Sequence, residues 1–214
     1  MPNSYRLPKL FLIGYTIFLL VGFVFLFILQ KGDLNLYFMC HRSPFLDSYF
    51  ALSSSLAEGL FLTLIGLIVL LKDPKHILLY LAMLITMSGI VNFLKKVVFQ
   101  TARPALYFHD YIQVETVSGI ELMKHYSFPS GHTTAAFSVF FLLSFLFPNK
   151  GFQVLFFLAA LSCGISRVYL QQHFFVDVYA GSILGITISW SLYWLWNHFS
   201  VSQKLEVFNK KSNA

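Results

Sequence analysis

The chain has 214 residues, 57% of them hydrophobic and only 11% charged, with a net charge of +6 and a mean hydropathy of +0.69. About a quarter of the residues in ordinary soluble domains are charged, so the composition excludes that class. The positive balance does not indicate nucleic acid, because much of it flanks apolar runs, where Lys and Arg set topology or meet anionic lipid heads.

Six apolar runs span, or nearly span, a bilayer: 10–29, 56–71, 77–99, 133–147, 152–165 and 176–196. A helix of about 20 apolar residues crosses the hydrocarbon core, and lipid leaves no partner for open backbone groups, so each run is expected to be helical. The first follows Arg6 and Lys9, with no small-residue cleavage site after it, and reads as a signal anchor. The fold class expected is all-α and polytopic: six transmembrane helices in one bundle, a single domain over 1–199 and a polar cytoplasmic tail over 200–214.

The connections alternate. Lys72-Asp73-Pro74-Lys75 and Pro148-Asn149-Lys150-Gly151 are tight, whereas 31–53 and 104–128 are long and fall on one side together with 166–175. Eight Lys and Arg lie on the side of the termini and tight turns, against seven on the other. Setting aside Lys96, Arg103 and Arg167, which have a chemical reason to be where they are, leaves eight against four, so both termini are expected in the cytoplasm. Trp190, Tyr193, Trp194 and Trp196 fit an interfacial belt or lipid-facing packing. Cys40 and Cys163 are too few for a disulfide scaffold.

Three polar clusters interrupt this pattern, each at a span end on the side of the long connections. In the first, Lys96 and Arg103 are seven apart and share a helix face, with Pro104 ending the helix; Lys95 reads as an interfacial cation whose stem snorkels. The second, Pro129-Ser130-Gly131-His132, opens the fourth span, and a helix start offers free N–H groups to an anion. Ser130 can cap or donate there, and Gly131 lets a ligand approach the backbone. In the third, Ser166-Arg167 precedes His173 and Asp177, which are at helical contact spacing. That pair reads equally as a structural contact or as an imidazole oriented by a carboxylate for attack. Lys96, Arg103 and Arg167 with the helix start suit a phosphate, with His173 as nucleophile, Asp177 as its orienter and His132 as proton donor. No Cys, His and carboxylate arrangement has metal-ligand spacing, so neither metal nor other cofactor is expected.

The three pieces, Lys96-x6-Arg103-Pro104, Pro129-Ser130-Gly131-His132 and Ser166-Arg167-x5-His173-x3-Asp177, resemble the tripartite signature of the type 2 phosphatidic acid phosphatase superfamily, which includes glucose-6-phosphatase and the vanadium haloperoxidases. The resemblance implies a six-helix membrane phosphatase with its site at the outer membrane face and a phosphohistidine on His173. It also implies that His132 protonates the departing lipid oxygen and that Lys96, Arg103, Ser130, Gly131 and Arg167 hold the phosphoryl oxygens. Undecaprenyl pyrophosphate, phosphatidylglycerophosphate, phosphatidate or a lipid A phosphate is the substrate expected, in a bacterial inner membrane. A lipid phosphotransferase with the same intermediate and a non-catalytic lipid-binding protein or transporter are the alternatives. Glu58, at the start of the second span, is either an interfacial acid or a contact to the headgroup or an active-site cation, and the 104–128 loop can cover the site.

Overall fold

The computed structural model describes residues 7–198, which form nine α-helices and, among the described residues, no strand. The expected tail over 200–214 lies outside them. Helix α1 is Lys9–Ile28 and α2 is Asp33–Cys40. Helices α3, Pro44–Ser55, and α4, Gly59–Lys72, meet at a bend of 55°. A 3-10 turn, Pro74–His76, leads into α5, Ile77–Phe93, which continues as a π-helical segment, Leu94–Phe99. Helix α6 is the short Pro104–Tyr107, followed by α7, Gly131–Leu146, α8, Lys150–Tyr169, and α9, Phe175–His198.

Each of the six apolar runs lies in a helix, but six full crossings are not what the lengths give. Four helical segments are long and apolar enough to cross, α1, Pro74–Phe99, α8 and α9, and the bent α3–α4 pair makes five. Helix α7 has 16 residues, about 24 Å at 1.5 Å per residue and short of the ~30 Å hydrocarbon core. Every residue from Thr133 to Ser144 is buried. A helix sheathed in protein need not reach either lipid interface, which is why α7 can be short and can start with polar residues inside the bundle.

Helix α7 is the hub. Phe11 and Tyr15 of α1 meet Phe141 and Phe137 of α7 at ring separations of 5.3 and 5.6 Å. Helix α9 comes closest. A Cβ at Gly181 or Gly185 would stand 2.8 Å from the Ser130 carbonyl or 2.6 Å from that of Thr134, so glycines four apart let the two backbones touch. Ser138 uses the approach by donating to the Gly185 carbonyl at 3.0 Å. The outer faces of α1, α4 and α5 carry exposed Phe, Leu and Ile, as lipid contact requires.

The 31–53 connection is not a loop but mostly helix. Ser43 caps α3, accepting from the Leu46 N–H at 3.2 Å, with Pro44 in the first turn and Asp47 near the positive end of the helix. Asn149 caps α8 in the same way, accepting from Gly151 at 2.8 Å.

Candidate active site

The starts of α4, α7 and α9 and the ends of the π segment and α8 lie at one end of the bundle, and the chemistry gathers there. Residues 170–174 link α8 to α9 and carry His173, which is 1% exposed. This turn is held by side chains from elsewhere. Asn35 of α2 donates to the His173 carbonyl at 3.2 Å and to Gln171 Oε1 at 3.2 Å, while Gln171 donates back to the Asn35 carbonyl at 2.9 Å. Gln172 accepts from Arg103 through its carbonyl and its Oε1, both at 3.1 Å, and donates to the Glu121 carbonyl at 2.8 Å.

His173 Nδ1 faces Asp177 Oδ2 at 3.3 Å, the i,i+4 contact expected. The same carboxylate oxygen accepts from the Ser127 hydroxyl and from the Phe174 N–H at 3.0 Å. With Nδ1–H turned toward Asp177, the lone pair sits on Nε2. Burial first, then the charges of Arg103, Lys95 and Arg167, hold the imidazole well below its ordinary value of 6.5, which keeps it neutral.

Arg103 and Arg167 are both buried and fixed. Arg103 has the extended backbone a residue before proline prefers, and its Nε donates to the His125 carbonyl at 2.9 Å. Arg167 Nη1 donates to Ser54 Oγ, while its Nε is buried with no partner. That nitrogen keeps an N–H free to donate, and a buried donor of this kind suits an anionic acceptor. Ser130 caps α7, with its oxygen accepting from the Thr133 hydroxyl at 2.9 Å and the Thr133 N–H at 3.4 Å, so its own proton is left to donate. Gly131 and His132 open α7, and their N–H groups are among those a helix leaves free.

Lys96 is the exception. It is exposed, whereas Lys95 is half buried, its Nζ 3.9 Å from where a Gly131 Cβ would stand, and it acts electrostatically on His132, His173 and Asp177. The cause is the π segment. Its i→i+5 bond, Gln100 N–H to the Lys95 carbonyl at 3.1 Å, adds a residue to the turn, and Gln100 then takes a left-handed φ of 42°. The helix also ends at Phe99 and not at Pro104, which opens α6 instead, so seven-residue spacing on one α-helix does not hold between Lys96 and Arg103. The lysine turned to the site stands eight before Arg103, not seven.

His132 sits at the mouth, its side chain 33% exposed, with Glu58 Oε1 3.8 Å from its Nε2. The 104–128 loop packs against the turn after His173: the Tyr107 and Phe108 rings lie 5.3 and 6.4 Å from that of Phe174. Lys31 Nζ is 4.4 Å from the same ring. Lys31, Ser54, Ser127, Asn35 and Gln172 all lie outside the three sequence motifs. Of these, the consecutive glutamines between apolar runs and the serine triplet 53–55 had a readable signal, because polar side chains at membrane depth are costly unless paired.

Fixed cations, a helix start and two imidazoles at one end of an all-helical membrane protein have the chemistry to hold a phosphoryl group. The chain belongs to the PAP2 superfamily, whose family model matches residues 77–200. A lipid A 1-phosphatase of Rhizobium johnstonii is 35% identical over 112 residues, 51% of this chain and 44% of that protein. The bacitracin transport permease protein BcrC of Bacillus licheniformis is 38% identical over 85 residues, 39% of this chain and 41% of that one. This chain thus spans less than half the length of these curated relatives. The crystal structure of Aquifex aeolicus LpxE shares the fold with a TM-score of 0.63 at 23% identity, covering 76% of this chain and 94% of that one. A PAP2-type phosphatidylglycerolphosphate phosphatase of Bacillus subtilis does so at 0.62 and 21%, covering 89% and 98%.

Proposed function

We propose that this protein is an integral membrane phosphatase acting on a membrane lipid phosphate or pyrophosphate through a phosphohistidine, without a metal. The observation that carries the reading is the buried His173, oriented by Asp177 and surrounded by Lys95, Arg103 and Arg167. His173 Nε2 attacks phosphorus while the bond from phosphorus to the lipid oxygen breaks and His132 gives that oxygen a proton. The three cations, the Ser130 hydroxyl and the N–H groups of Gly131 and His132 stabilise the equatorial oxygens in the transition state. Water then attacks the phosphohistidine and gives its proton to His132. Orthophosphate leaves and both imidazoles return to their starting state. The lysine contact expected of Lys96 falls to Lys95.

The relatives named for lipid A 1-phosphate and phosphatidylglycerolphosphate chemistry support a lipid phosphate substrate. Undecaprenyl pyrophosphate, phosphatidylglycerophosphate, phosphatidate and lipid A phosphate are the set to screen. The Lys and Arg count supports both termini cytoplasmic and the site facing outward, and the bacterial source of the relatives supports a bacterial inner membrane. Purified protein should release phosphate from at least one of these lipids in excess EDTA, and orthovanadate should inhibit by imitating five-coordinate phosphorus. Turnover that vanishes in EDTA and returns with a divalent ion would overturn the metal-free mechanism. The name of the Bacillus relative speaks of transport, and lipid movement without phosphate release would favour that function instead.

A further inference from the structure

We propose that the Glu58 carboxylate keeps the His132 imidazole in its protonated, donating form, making Glu58 a positioning residue for the leaving-group step. The inference rests on the assignment of His132 as general acid.

The geometry is specific. Glu58 is the N-cap residue of α4, where an acidic side chain commonly bonds the first N–H groups of the helix, yet here it caps nothing. Its carboxylate makes no hydrogen bond among the described residues; Oε1 lies 3.8 Å from His132 Nε2, at ion-pair distance, and its charge also acts on Arg167. It stands at the 55° break between α3 and α4, beside the start of α7.

Charge explains why such a partner is needed. His132 faces Arg167 from α8, Lys95 from the π segment and Arg103 from the connection before α6, with His173 in the same cluster. These cations suit the phosphoryl oxygens, but burial first and then the cations pull the His132 imidazole from 6.5 down to about 3, against the proton it must donate. Of the two carboxylates at the site, Asp177 is committed to His173, Ser127 and the Phe174 N–H. Glu58 is the remaining one, and it is on the leaving-group side. A bound phosphoryl group offsets the cations, and Glu58 then supplies the local negative charge that favours imidazolium.

The pair is partly open, with the two side chains 33% and 55% exposed, so solvent weakens it. The expected effect is accordingly a shifted pH profile and not loss of turnover. Openness also makes the isosteric Glu58→Gln safe for folding.

The test compares two phosphates on the full-length protein: an alkyl lipid phosphate, whose leaving oxygen needs a proton, and p-nitrophenyl phosphate, whose leaving group departs without one. For the alkyl substrate, Glu58→Gln should move the basic limb of the kcat–pH profile toward lower pH, cutting kcat about tenfold at alkaline pH and little in acid. The nitrophenyl profile should stay in place, and Glu58→Asp should recover part of the alkyl activity. A basic limb that does not move, or an equal fall on both substrates, would overturn the proposal while leaving His132 as the acid. His132→Ala is the control. If it costs the same on both substrates, the general-acid assignment fails and the proposal fails with it.

Discussion

The two imidazoles of the site live in opposite surroundings. His173 is 1% exposed and its turn is tied down by Asn35, Gln171, Gln172 and Asp177. His132 sits in the first turn of α7, 33% exposed, with a solvated carboxylate 3.8 Å away as its neighbour. An attacking nitrogen gains from one fixed geometry and a retained lone pair, both of which burial supplies. A proton donor must exchange its proton with water in every cycle and admit lipids of varied headgroup, which a sealed position would prevent. Under the proposed roles, rigidity in this bundle belongs to the nucleophile and openness to the leaving group.

The largest expected effect comes from the closed half. His173→Ala should lower kcat by at least about 10³-fold, measured by phosphate release, and should abolish acid-labile labelling by a radioactive lipid phosphate. Residual labelling in that variant would move the nucleophile elsewhere and remove the contrast between the two halves.

A smaller effect separates neighbours in the chain. Lys95→Ala should cost about 10²-fold in kcat/KM, the scale for removing one donor to a charge that develops in the transition state, while Lys96→Ala should stay within about twofold. The reverse ranking would mean that the π segment unwinds into an α-helix in the working enzyme and that Lys96 turns inward.

That pair also marks how far the residues alone could be read. The apolar runs located the helices, because burial in lipid demands about 20 apolar residues regardless of neighbours. His173 and Asp177 were legible because contact at i,i+4 is a local property of a helix start. The choice between Lys95 and Lys96 was not, since helical spacing assumes 3.6 residues per turn and one i→i+5 bond at Gln100 breaks that assumption. The partners of Ser54 and Ser127 were hidden for another reason. These serines act across 113 and 50 positions of chain, on Arg167 and Asp177, and only packing brings such pairs together. The shortness of α7 was visible in its run length, but its packing against α5, α8 and α9 and against the Phe11 and Tyr15 rings of α1 was not.

The smallest effects probe how the closed half is tuned. The imidazole of His173 is held below 6.5, chiefly by burial. A lowered value means that the neutral, attacking form survives as pH falls, so the acidic limb of kcat/KM should lie below 6.5 and activity should be lost only as pH drops through the depressed value. Ser127 tests the source of that tuning. Its hydroxyl donates to the Asp177 oxygen that also faces His173. In Ser127→Ala the carboxylate keeps more of its charge for the imidazole, the imidazolium is better stabilised, and the acidic limb should move to higher pH. Loss of one buried hydrogen bond costs about 1 kcal/mol, so the fall in kcat should be no more than about tenfold. A fall of that size with the limb unmoved would make Ser127 a packing residue, and the closed half would then owe its pH behaviour to burial and the three cations alone.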